Sequence, residues 1–131
     1  MKAINYLILF VFALAIVGGS CKKAEKTNTE ILTSTDWKYS TMTYNGTNLP
    51  LDACQLDDYL TFSANGTMTS NYGTLHCIAN ETTQTGAWSL STDGKSITMN
   101  SKTSAIVITA NSLVITSVSA NATTVITFVP R

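Results

Sequence analysis

Five turn signals cut the stretch after Trp37 into short segments and leave little room for anything but antiparallel β-structure: Asn45-Gly46, Asn65-Gly66, Asp93-Gly94, Asn111-Ser112 and Ala120-Asn121. Asn-Gly and Asp-Gly accept the positive φ angles of tight hairpin turns, so each marks a strand reversal. Between them Thr, Val, Ile and Tyr recur, residues that suit a pleated, half-buried surface. The pattern predicts an all-β domain of about eight strands, over residues 37–44, 58–63, 67–72, 85–90, 96–100, 105–109, 113–118 and 123–129.

Several strands alternate. Leu60 with Phe62, Trp88 with Leu90, and Ile97 with Met99 place apolar side chains on one face between polar neighbours, as a sheet wetted on one side requires. The last three strands differ, because Ile106-Val107-Ile108, Leu113-Val114-Ile115 and Val125-Ile126 are apolar on both faces. Either another element covers their outer face, or it is a contact surface for a protein partner or a second copy. A short helix is expected at 29–34, with Thr29 as its cap and Ile31-Leu32 closing one end of a barrel.

The N-terminus specifies a location. Met1-Lys2 gives a positive start, residues 4–17 are almost unbroken apolar, and Gly18-Gly19-Ser20 supplies small side chains before Cys21. A membrane span needs ~20 consecutive apolar residues, and the run stops short at the glycines and the Lys22-Lys23 pair. The layout resembles a bacterial lipoprotein signal, although Gly18 stands three residues before the cysteine where an aliphatic residue is usual. The resemblance implies that residues 1–20 are removed and that Cys21 is lipidated through sulfur and acylated at its amine. Two or more chains hold a protein stably on a membrane. Residues 21–29 then form the lipidated N-terminus and a flexible linker, and 30–131 the domain. Lys22 is unlike the Asp that retains many lipoproteins at the inner membrane, which favours the outer membrane. Lys22-Lys23-Ala24-Glu25 fits acidic surface-export signals poorly, which favours the periplasmic face over the cell surface.

With Cys21 committed to lipid, Cys54 and Cys77 remain as a pair, and an exported chain permits a disulfide. Closing that loop contributes ~3 kcal/mol in the chain-entropy description. Two half-buried thiols or a redox couple are the alternatives, but the CxxC spacing of many redox and zinc sites is absent. After processing the chain is nearly neutral and has no basic stripe to neutralise phosphates, which excludes nucleic acid as an expected partner. The cluster Lys22, Lys23 and Lys26 sits beside the lipidation site, where anionic head groups or water meet it.

The order of short motifs now resembles a family. Thr29-Glu30-Ile31-Leu32, the Trp37 strand, Asn45-Gly46-Thr47, Leu51-Asp52-Ala53-Cys54, Asp57-Asp58, Leu60-Thr61-Phe62, Asn65-Gly66-Thr67, Cys77, Trp88-Ser89-Leu90 and Asp93-Gly94-Lys95 look like the bacterial lipocalin-like domain of small exported lipoproteins. The resemblance runs from about residue 29 to the end. It implies an up-and-down antiparallel barrel of about eight strands with a short N-terminal helix, matching cysteines at 54 and 77, and binding of a small hydrophobic ligand. An eight-stranded barrel is wide enough either to be filled by side chains or to hold one small ligand. Trp37, Leu60, Phe62, Trp88, Leu90 and Met99 are the candidates to line such an interior, with core packing as the alternative for each.

Neither a catalytic site nor a cofactor is expected. His76 is the only histidine, and nothing in the sequence offers it a nucleophile with an orienting acid. Asp52, Asp57 and Asp58 form a small acidic group. They could coordinate calcium or act as paired carboxylates, but their spacing does not match an EF-hand loop, and loop aspartates commonly satisfy local backbone donors. No metal site is expected there. Four sequons, beginning at Asn45, Asn65, Asn80 and Asn121, read as turns.

Overall fold

A computed structural model describes residues 23–131; residues 1–22, with the expected signal segment and Cys21, lie outside the described part. The described elements are α1 (Asn28–Leu32), β1 (Trp37–Tyr44), β2 (Thr47–Leu49), α2 (Ala53–Asp57), β3 (Tyr59–Phe62), β4 (Thr67–Asn71), β5 (Gln84–Leu90), β6 (Ser96–Met99), β7 (Lys102–Ile108), β8 (Leu113–Ser119) and β9 (Ala122–Pro130). From β3 onward each strand pairs antiparallel with the next, and β9 returns along the length of β1, from Trp37 opposite Pro130 to Tyr44 opposite Thr124. The other edge of β1 meets β3 only at Trp37 and Lys38, then β2 from Met42 to Tyr44. Strands β1 and β3–β9 therefore close an eight-stranded barrel. The β1–β2 hairpin carries the wall on past the start of β3.

The pairing sorts the connections into two ends. The β3–β4, β5–β6 and β7–β8 turns gather at one end with α1. The β1–β2, β6–β7 and β8–β9 turns gather at the other, with α2 and the connection over residues 72–83.

The first end is shut by α1 and two tryptophans. Thr27 caps the helix: its Oγ1 accepts from Glu30 N at 3.2 Å, while Glu30 Oε2 accepts from Thr27 N at 2.7 Å. The expected cap at Thr29 is corrected to Thr27, because only Thr27 has a glutamate three residues on to complete the reciprocal pair. Leu32 is fully buried, and its carbonyl accepts from Trp37 Nε1 at 2.9 Å, so the indole that fills the core also fastens the helix. Trp88 Nε1 donates to Ser63 O at 3.0 Å and Thr67 O at 3.1 Å and so holds the β3–β4 turn. Its ring meets Phe62 edge-on, with centroids 5.5 Å apart. Ile97, Ile106, Leu113 and Phe128 complete the packed layer.

Three elements depart from expectation. The short strand β2 and helix α2 occupy a segment read as loop, because a three-residue strand and a five-residue helix are too brief to show a period. Strand β7 begins at Lys102, three residues early, since Asn100 (φ 46°) and Ser101 (φ 67°) both adopt left-handed conformations and turn the chain without a glycine. In the C-terminal strands, Ile106, Leu113 and Ile115 are buried inside the barrel, whereas Val107 on the outer wall is 61 % exposed. No described element covers it.

Candidate functional site

Above the packed layer the barrel is not filled. A cavity of about 290 Å³ opens at the end opposite α1. Its walls are Leu60, Met68, Met99, Ile115, Ile126 and Phe128, and its polar groups are Tyr39, Ser70, Gln84 and Ser117. The register explains this set: Ser70 pairs with both Leu60 and Gln84, Ile115 pairs with Ile126, and Tyr39 pairs with Phe128, so each pair shares the inner face. Tyr39 packs on Phe128 with centroids 4.6 Å apart. Burial, and then the nearby Asp58 carboxylate, push the Tyr39 phenol above its ordinary value, so it stays neutral at physiological pH. No charged side chain lines the cavity.

Of the six expected lining residues, Leu60 and Met99 lie on the cavity wall. Trp37, Phe62 and Trp88 lie in the packed layer beneath it, because their indole and ring contacts serve the closed end. Leu90 is half-buried beside the same end. The sequence reading missed the polar members Ser70, Gln84 and Ser117. A polar residue on a strand normally signals the wet face, and only the register shows that these three face inward. Same-strand parity with Met68 on β4 and with Ile115 on β8 is the signal that could have found Ser70 and Ser117.

The mouth carries its own fastening. Cys54 in α2 and Cys77 in the 72–83 connection form a disulfide, with Cα atoms 5.3 Å apart. Asp57 holds the same connection: its Oδ2 accepts from Thr74 N, from Thr74 Oγ1 at 3.1 Å and from Leu75 N at 2.9 Å. These donors, led by the Leu75 N–H, lower its pKa. A Cβ on Gly73 would lie 2.1 Å from Asp57 Cγ, so the close approach requires glycine. Asp58 accepts from Gly73 N at 3.3 Å, and burial raises its pKa. The backbone N–H of Asp52 donates to Gln55 Oε1 at 3.0 Å at the start of α2. The Asp57 and Asp58 carboxylates are thus engaged in local structure, and no set of three potential ligands converges among the described residues. Most of the exposed large apolar side chains also gather here: Tyr44, Leu49, Leu56, Leu75, Ile78 and Val118.

A family model of the lipocalin-like domain matches residues 32–115, well over half of the chain. The chain belongs to the lipocalin-like domain family. A search of curated proteins finds no match. The closed barrel is the architecture this family implies, and membership points to ligand binding or small-molecule carriage.

A larger groove of about 420 Å³ lies outside the lipocalin-like barrel, between α1 and the β5–β6 turn. Its lining is largely polar, and Asn28 Nδ2 donates to Gly94 O at 3.4 Å across one part of it. The interior cavity is the better site despite its smaller volume, because its lining is mostly apolar with only a few polar groups, as small-molecule sites are. His76 lies on the disulfide-tied connection, its Nδ1 3.6 Å from Glu81 Oε2. Glu81 also accepts from Cys77 N at 3.0 Å, and the adjacent thiol is consumed in the disulfide.

Proposed function

We propose that this protein is a membrane-tethered, non-enzymatic carrier that holds a small hydrophobic molecule in the open end of its barrel. The observation that carries the reading is the cavity of about 290 Å³, with apolar walls, a few polar groups and one shut end. Its volume is at the lower end of the ~300–1,000 Å³ range of small-molecule pockets, which favours a compact ligand.

The tether is Cys21, and the anchoring membrane is the outer membrane, at its periplasmic face. Support comes from the signal-like residues 1–20, Lys22 after the cysteine, and a disulfide compatible with an oxidising compartment. Helix α1 begins at the shut end, and residues 22–27 span at most roughly 21 Å. A tether this short holds the shut end toward the bilayer and the mouth toward water.

Native mass spectrometry of the chain carrying Cys21→Ser, before and after denaturing extraction, tests the carrier. An added mass lost on extraction is the expected result and identifies the ligand. A bare monomer that takes up no added hydrophobic probe overturns it. A second reading, a protein-binding envelope module, is favoured by the uncovered Val107 wall, and a bare dimer that Val107→Lys dissociates would establish it.

A further inference from the structure

The two sides of the mouth carry opposite charge. Asp57, Asp58 and Glu81 lie on or beside α2, the start of β3 and the 72–83 connection. In a ring of eight, β3 and β7 are four strands apart in either direction, so they face each other across the opening. Lys102 begins β7. Its cross-strand partner is Met99, a cavity-wall residue, and directly paired residues share a face. Further along the inner face of β7, Ser104 Oγ lies 2.8 Å from Oγ of the cavity-wall residue Ser117, and Ile106 is buried.

No other described cation is placed this way. Lys38 lies between inward-facing Trp37 and Tyr39 and lines an outer groove with Leu56 and Leu75. Lys95 is in the β5–β6 turn at the shut end. Arg131 is at that end too, 3.8 Å from Asp36 and over the Tyr59 ring. Lys23 and Lys26 precede α1. Among the described residues Lys102 forms no ion pair. The adjoining turn adds a carboxamide, because an inward Cβ on Gly86 would lie 2.0 Å from Asn100 Oδ1, which places the Asn100 side chain against the inner face.

We infer that the ligand is a single-chain amphiphile with a carboxylate head, seated so that the head meets Lys102, Ser104, Ser117 and Asn100 while the tail enters the apolar cavity. This rests on the carrier reading above. The acidic side of the mouth repels such a head and the Lys102 side attracts it, so the charge pattern sets one orientation. One ammonium with neutral hydroxyl and amide neighbours matches a monoanion. The cavity volume favours a medium-length chain.

Titration of the Cys21→Ser chain with decanoate and with decanol, each below its aggregation limit, tests the inference. The ratio of decanoate to decanol affinity is expected to fall about three- to fivefold in Lys102→Gln, the size of an exposed ion pair, and to shrink in the parent as salt rises. Lys95→Gln, at the shut end, leaves the ratio unchanged. An unchanged ratio in Lys102→Gln overturns the inference while leaving the carrier reading intact. If neither probe binds the parent, both readings fall.

Discussion

The two ends of the barrel are built from the same strands but solve different problems. At the shut end, two indole N–H groups each satisfy a carbonyl while their rings fill space, so Trp37 and Trp88 serve as both core and fastener. At the open end, the short Ser70 and Ser117 and the polar Gln84 join the inner face, the interior stops being filled, and a disulfide with an Asp57 anchor fixes the nearest loop from outside. A barrel this small can be stabilised from one end, which frees the interior of the other end from packing.

Substitutions at the two ends test that division. The largest effect is expected for Trp37→Ala, which empties a fully buried site and removes the tie to Leu32 O; about 3–5 kcal/mol of stability is lost in chemical denaturation. Next is the paired Cys54→Ala, Cys77→Ala variant, expected to lose about 2–4 kcal/mol in the same measurement. A loss as large as that of Trp37→Ala would mean that the mouth, too, holds the fold together.

A matched pair of enlargements sharpens the comparison. Leu113→Phe, in the fully buried layer, is expected to cost about 1–3 kcal/mol through overpacking. Ile126→Phe, on the cavity wall, has space to enter and is expected to cost less, under about 1.5 kcal/mol, while weakening ligand uptake. Equal costs would show that the cavity collapses in solution.

The smallest effect concerns acid. The Asp57 pKa is lowered in the fold, so its contribution is fully present above the unfolded value and is lost as pH falls through the folded value. Hydrogen-exchange protection of the Thr74 and Leu75 amides, corrected for intrinsic rates, is expected to fall below pH ~3.9, and to be weak at every pH in Asp57→Asn. Protection that is independent of pH would assign the loop's order to the disulfide alone.

Much of the shut end was legible in the sequence because its signals are local. The Leu60–Phe62 and Trp88–Leu90 alternation and the Asn65-Gly66 turn each act within a few residues, while the helix cap was read two residues late, at Thr29 instead of Thr27. The open end was less legible. Asn100-Ser101 turns the chain without glycine, α2 is a single short turn of helix, and Ser70 and Ser117 look outward by polarity while facing inward by register. The three aspartates also read as a group, whereas the fold directs Asp57 to Thr74 and Leu75 and Asp58 to Gly73.

By itself the sequence determined an all-β domain, its strand reversals, and which faces of β3, β5 and β6 are apolar, because turn preference and side-chain alternation are written residue by residue. Only the tertiary structure decided where packing ends and the cavity begins, and that Lys102 shares a face with Met99 across a turn. An empty volume is the difference between the space a closed barrel encloses and the side chains sent into it, and both depend on the register around the whole ring.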